Sequence, residues 1–284
     1  MPAMDLEHLK SWLGREESCV DLVTAAPMSA LSATLDRDDP DPAIGAPVPP
    51  LWHWLYFLPR APQRELGPDG HAHRGGFLPP VPLPRRMWAG GRLQFEQPLR
   101  VGETATRVSR IVRVDAKQGR SGALVFVTVR HEFSGDRGLA LTEEHDIVYR
   151  DMPQPGAPAP VPQAAPVGEQ FARRIVPDPV LLFRYSALTF NGHRIHYDRS
   201  YVTGVEGYPG LIVHGPLIAT LLADLLRRHQ PDAVLRRFEF KALHPTFDLH
   251  PFQVCGRAEG PGRWQLWGRD HEGALTMQAS AETD

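Results

Sequence analysis

The clearest periodic signal in this chain lies between Leu217 and His229. Apolar Leu217, Ile218, Leu221, Leu222, Leu225 and Leu226 recur every three or four residues, which lays them along one helical face with small Ala219 and Ala223 beside them. Gly215 is a tolerable N-cap, and Pro216 suits the first turn, where no N–H is needed. Arg227, Arg228 and His229 put cations where the last carbonyls point out. Apolar–polar alternation then predicts strands at Arg237–Leu243, Phe252–Gly256, Arg263–Trp267 and Leu275–Ala279. The earlier part of the chain repeats this order: a weaker helix signal at Met28–Leu35, then strand patterns at Gly91–Phe95, Ala105–Val114, Ala123–His131 and Glu143–Tyr149. A helix followed by an antiparallel meander, twice over, predicts an α+β protein with a sheet curled around a helix in each half.

The boundary between the halves is compositional. Residues 152–168 are rich in Pro and Ala and carry no charge. Such a stretch cannot continue a helix or sit inside a sheet, and it favours an extended, semi-rigid spacer. The expected organisation is therefore an N-terminal unit (1–151), the linker (152–168) and a C-terminal unit (169–284). Residues 40–90 fit neither element. They are rich in Pro and Gly, with Trp52, Trp54, Trp88, Arg85 and Arg86 among them. A long irregular stretch in a compact protein is usually functional, and this one reads as an ordered cover over a ligand or over the other half.

Composition narrows the chemistry. Apolar residues make up 42% of the 284 positions, and 31 basic residues face 33 acidic ones for a net charge of −2. There is no basic footprint for nucleic acid and no polybasic segment for anionic lipid. The longest apolar run, 211–226, is broken by His214, Pro216 and Asp224 and is too short to span a bilayer. No secretory leader is expected from Met1-Pro2-Ala3-Met4-Asp5. Cys19 and Cys255, at opposite ends, argue against a disulfide framework. A reducing cytoplasm is the expected location.

The candidate chemistry is concentrated in Phe190-Asn191-Gly192-His193-Arg194-Ile195-His196-Tyr197-Asp198, followed by Val213-His214-Gly215-Pro216 at the start of the strongest helix. Imidazoles, an amide and a carboxylate next to an open helix N-terminus suit acid/base work on a carbonyl compound. His193 and His196 stand three apart and lack the i, i+4 spacing and neighbouring Glu of a helical zinc pair, so no metal is expected. No nucleophile elbow, phosphate loop or dinucleotide fingerprint occurs.

Tyr185-Ser186, Phe190-Asn191, Ile195-His196-Tyr197-Asp198 and Ile212-Val213-His214-Gly215-Pro216-Leu217 resemble the motif of the MaoC-like, R-specific (type 2) enoyl-thioester hydratases, which have the hot dog fold. The runs Gly76–Gly91 and Gly119–His131 are similar to the two-hot-dog branch, which includes hydratases of 3-methylfumaryl-CoA (mesaconyl-CoA) and itaconyl-CoA and mitochondrial-type hydroxyacyl-thioester dehydratases. The resemblance implies two fused hot dog units, the second catalytic. It implies reversible hydration of an α,β-unsaturated acyl-CoA, most simply a short branched dicarboxylic one. CoA then arrives with the substrate and no other cofactor is expected; self-association into a homo-oligomer is left open. Alternatives are a 3-hydroxyacyl-thioester dehydratase of fatty acid synthesis, a thioesterase and a non-catalytic acyl-CoA binding protein. The general motif reads Ser-Gly-Asp-x-Asn-Pro-x-His, and here the Asp position falls at Leu188 or Thr189.

The expected roles follow. His196 is the base, and Asn191 holds the water or its partner side chain. His193 and Asp198 are candidates for the second proton-handling group, although Asp198 could instead cap the next turn or pair with Arg194. His214 and the Gly215 N–H are assigned to the thioester oxygen. Arg85 and Arg86 are assigned to a phosphate or a free carboxylate, which a guanidinium matches geometrically. The three Trp are read as packing, and His53 and His131 receive no role.

Overall fold

The computed structural model describes residues 5–119, 122–151 and 161–284. The chain runs through α1 (Leu6–Lys10), β1 (Glu16–Leu22), α2 (Ala25–Thr34), β2 (Arg85–Phe95), β3 (Thr104–Gly119), β4 (Gly122–Gly135) and β5 (Gly138–Arg150). It continues through β6 (Phe171–Ile175), α3 (Pro179–Leu188), α4 (Arg199–Gly204), α5 (Gly215–His229), β7 (Leu235–Ala242), β8 (Phe252–Gly260), β9 (Arg263–Arg269) and β10 (Leu275–Thr283). Residues 152–160 of the expected linker lie outside the described residues. Its remainder runs along the turn before β10, where Ala164 bridges Ala274 and Leu275 N–H donates to the Gln163 carbonyl.

The strands form one ten-stranded antiparallel sheet in the order β1-β3-β4-β5-β2-β7-β10-β9-β8-β6. Read inward from its two edges, this is the same permutation twice, so the halves are topological repeats. This is the double hot dog architecture. Each half begins with an edge strand, β1 or β6, that the alternation did not reveal. The reason is local: β1 is exposed along most of its length, and β6 has five residues with Arg173 and Arg174 in its middle. An edge strand needs little apolar patterning because it packs on one side only.

The halves join through β2 and β7, with Gly91 opposite Phe240 and Leu93 opposite Phe238. A Cβ on Gly90 would meet the Phe240 carbonyl, and one on Gly91 would meet the Phe240 ring, so the seam depends on two residues without side chains. One buried core spans it, with Leu31, Phe133 and Leu141 from the first half and Leu222, Leu225 and Phe238 from the second. Residues 40–84 are an ordered cover, whereas 85–90, expected to belong to it, form the first part of β2. They contain a short 3₁₀ turn at Trp52–Leu55, and Val81 and Leu83 close a second cluster with Val125, Val127, Val129 and Tyr149.

Helix α5 is buried on every side from Leu217 to Leu226, as expected for a helix wrapped by sheet. That burial takes in Asp224. Its carboxylate is 2.6 Å from Arg37 Nη1, 2.7 Å from Arg228 Nε and 3.4 Å from Arg173 Nη1, so α5, β6 and the segment after α2 are tied at one charge. Removing one partner of a buried ion pair strands the others. We predict that Asp224→Ala lowers the unfolding free energy by about 3 kcal/mol in denaturant titration. A loss below about 1 kcal/mol would place this cluster with surface pairs.

Candidate active site

Helix α3 starts at the Asp178 cap, whose carboxylate accepts the N–H groups of Val180 and Leu181, and runs out at Leu188. Thr189 Oγ1 then bonds back to the Tyr185 carbonyl at 2.7 Å, and Phe190 takes a left-handed turn at φ 50°. Asn191 Oδ1 accepts the His193 N–H at 3.0 Å and folds the next turn. The 3₁₀ turn Arg194–His196 follows, leaving the rings of His193 and His196 5.4 Å apart and perpendicular.

His196 Nδ1 lies 2.7 Å from the Ile212 carbonyl. A carbonyl can only accept, so Nδ1 carries the proton and Nε2 carries the lone pair. Nε2 has no protein partner among the described residues. The ring stacks on His214 at 3.7 Å and 18°. His214 is completely buried, with Nε2 2.8 Å from Ser186 Oγ and Nδ1 sealed without a partner. His214 is also the N-cap residue of α5, so His196 sits beside the start of that helix. The Gly215 N–H there has no partner among the described residues.

A third element enters from the cover segment and was not foreseen. Pro68-Asp69-Gly70 forms a turn that docks on the 190–196 loop. Arg194 N–H donates to the Asp69 carbonyl at 2.9 Å, and the Arg194 guanidinium donates to the Pro68 carbonyl at 2.9 Å. Gly70 has φ 87°, and a Cβ there would collide with the Gly192 carbonyl. The turn places the His71 ring 4.1 Å from that of His193. Asp69 accepts from His71 twice, at 3.0 Å from its N–H and 3.1 Å from Nδ1. The turn chemistry of Pro68-Asp69-Gly70 is readable in sequence; its target across the fold is not. Asp69, His71 and His193 each offer a donor atom within 4.8 Å of the others.

Burial keeps the imidazole row neutral. It pushes His196 down to about 4, against the bond to Ile212 and with help from His71. It pushes His193 down to about 2 and His214 well below the ordinary range. For His71, burial also lowers the value and the hydrogen bond to Asp69 opposes it. Burial works against the Asp69 charge too, yet its bonds to His71 hold the carboxyl below the usual range. At neutral pH these rings offer lone pairs rather than charge.

Three expectations are corrected. Asp198 is not aimed at the imidazoles: its oxygens accept from Ser200 Oγ at 2.7 Å, Tyr201 N–H at 3.0 Å and Arg194 at 2.7 Å, so it caps α4. These bonds pull it down to about 2. Arg85 is buried, donates to the Glu206 carbonyl at 2.9 Å and lies over the Tyr208 ring, tying β2 to the second half. His214 is too deeply buried to meet a ligand and instead forms the floor beneath His196. Asn191 spends its carbonyl oxygen on the shape of the loop. Arg86 lies near enough for its charge to act on His71, His193 and Tyr149, and it is joined to no carboxylate among the described residues.

Residues 51–248 match the family of hydroxyacyl-thioester dehydratases type 2. The chain is 49% identical over 275 residues to a mesaconyl-C(4)-CoA hydratase of Chloroflexus aurantiacus, covering 96% of each sequence. Among solved structures, a MaoC-like dehydratase from Phytophthora capsici superposes with a TM-score of 0.71 at 15% identity, covering 99% of both chains. A Mycobacterium tuberculosis protein described as having a double hotdog fold superposes with a TM-score of 0.58 at 15% identity, covering 96% of both.

The tautomer of His196 can be read directly. Side-chain ¹⁵N NMR is expected to show a protonated Nδ1 and a bare Nε2, with no titration until about pH 4. A midpoint near the solvent-exposed value of about 6.5, or the opposite tautomer, would refute this geometry.

Proposed function

We propose that this chain, which belongs to the hydroxyacyl-thioester dehydratase type 2 family, adds water reversibly to mesaconyl-C(4)-CoA (3-methylfumaryl-CoA) or a close relative such as itaconyl-CoA. Its broader activity, as a hydro-lyase acting on α,β-unsaturated acyl-CoA thioesters, follows from the family and the near full-length relative. The observation that carries the chemistry is the neutral His196, its Nε2 bare, beside the unpartnered Gly215 N–H.

In hydration the thioester oxygen takes the Gly215 N–H, where the positive end of α5 favours the charge that develops. His196 Nε2 removes a proton from water as the oxygen bonds to Cβ. The π pair of the double bond moves toward Cα and the thioester oxygen. The proton held on His196 then passes to Cα, and the ring is again neutral. Stacking on His214 and the bond to Ile212 keep the ring in place through both transfers. Asn191 acts on this reaction through the loop that carries His193. Arg86, which has no acidic partner among the described residues, would receive the free carboxylate of a dicarboxylic acyl group. The reading needs no resident cofactor, because CoA arrives with the substrate, and the location we propose with it is the cytoplasm. No helix among the described residues is long and apolar enough to cross a membrane.

The test is loss of enoyl-thioester absorbance with mesaconyl-, itaconyl-, crotonyl- and longer enoyl-CoAs. A branched dicarboxylic ester is expected to have the highest kcat/KM. Arg86→Gln should lower that value roughly tenfold, the worth of one charge-assisted contact, and leave crotonyl-CoA unaffected. His196→Ala should cost about 10³-fold in kcat. Preference for long apolar chains would reassign the enzyme to fatty acid synthesis, and binding of all esters without turnover would make it a binding protein.

A further inference from the structure

Two imidazoles in this site have their tautomer set by a neighbour, and both keep the same atom free. His196 gives its Nδ1 proton to the Ile212 carbonyl at 2.7 Å. His71 has Nδ1 3.1 Å from Asp69 Oδ2, and an ionised carboxylate can only accept. Each ring therefore presents a lone pair on Nε2, and neither Nε2 has a protein partner among the described residues. The rings come from different halves, both lie against His193 at 4.1 and 5.4 Å, and His71 is near enough for its charge to act on His196. Nothing among the described residues fixes the tautomer of His193.

We propose that His71, oriented by Asp69, is a second catalytic side chain: it accepts one hydrogen of the attacking water while His196 accepts the other. This rests on the hydratase reading above. A water that donates both hydrogens keeps an oxygen lone pair free for Cβ. As the O–Cβ bond forms, the O–H bond facing His196 breaks and its proton goes to Nε2. The π pair moves onto Cα and the thioester oxygen, and the enolate then takes the proton from His196 to form the new C–H bond. The hydrogen facing His71 stays on oxygen as the product hydroxyl. Atoms and charge balance with both rings neutral at the end, so no further acid is required.

The build of the Pro68–His71 turn fits this role. Its attachment to the catalytic loop uses the Asp69 carbonyl, the Pro68 carbonyl and the close Gly70–Gly192 approach, none of which involves the His71 ring. The ring is thus placed by the backbone and left with an open acceptor. A group contributed by one half to chemistry on the other needs such fixing, because a displacement of about 1 Å can cost about 100-fold in rate. Asp69 is likewise fully used in orienting His71.

The experiment compares hydration rates of the wild-type enzyme with His71→Ala, His71→Gln, Asp69→Asn, His196→Ala and His196→Gln, with folding checked by thermal melts. His71→Ala should lose about 100-fold in kcat with KM changed by less than about threefold. Glutamine places a carbonyl oxygen near the former Nε2, so His71→Gln should recover about tenfold of that loss. His196→Gln should recover nothing, since an amide cannot take the proton. Asparagine at position 69 releases the tautomer of His71 and should cost about tenfold.

Equal losses in His71→Ala and His71→Gln would make His71 merely structural and overturn the proposal, as would an unchanged kcat in His71→Ala. If His71→Ala does not fold, an unchanged kcat in Asp69→Asn overturns it instead. A wild-type enzyme silenced by chelator and restored by zinc would turn Asp69, His71 and His193 into metal ligands and also overturn it. A wild type that hydrates no enoyl-CoA removes the hydratase reading and this one together; an active wild type with any of the other results removes His71 alone.

Discussion

Everything at the candidate site depends on the backbone pairing of β2 with β7. This contact makes two five-stranded halves into one sheet, and it is possible because Gly90 and Gly91 let the Phe240 backbone and ring come close. Strand β2 is preceded by the long cover segment, so pinning β2 to the second half also fixes where that segment lies. The Pro68–His71 turn reaches the 190–196 loop as a consequence. A side chain at either glycine would open the seam and, with it, the fit between turn and loop.

Helix α5 separates two kinds of polar chemistry. At its far end, buried Asp224 gathers Arg37, Arg173 and Arg228 from both halves, and Asp39 and Asp36 pair with two of them. At its near end the Gly215 N–H has no partner among the described residues, and burial keeps the neighbouring His196 and His214 neutral. A neutral ring and an open N–H can take a proton and polarise a carbonyl. The two ends follow from one rule: a buried polar group must be paired, or be kept uncharged and aimed at what will pair it.

The halves share topology but not chemistry. The equivalent face of the first half is closed by its own network, with buried Glu143 bonded to His53 and Trp54, and His131 bonded to Ser109. These groups satisfy each other. The first half instead contributes the cover segment, with Arg86 at the start of β2 and Asp69 and His71 on the turn before it.

The sequence by itself determined the α5 stripe, most of the strands, the two-part order of elements and the loop that holds Asn191, His193 and His196. These are short-range properties: spacing of apolar residues, turn residues and a helix start are all written within a few positions. It did not reveal β1 and β6, whose stability comes from one partner strand rather than from their own pattern. Asp198 and Arg85 looked chemical because they stand among chemical residues, yet only the fold shows that Tyr201, Arg194 and Glu206 use them first. Asp69 and His71 lie more than a hundred residues before His196. Their arrival beside it was decided by tertiary structure alone, because contacts between distant segments depend on how the sheet closes and leave no period in the chain.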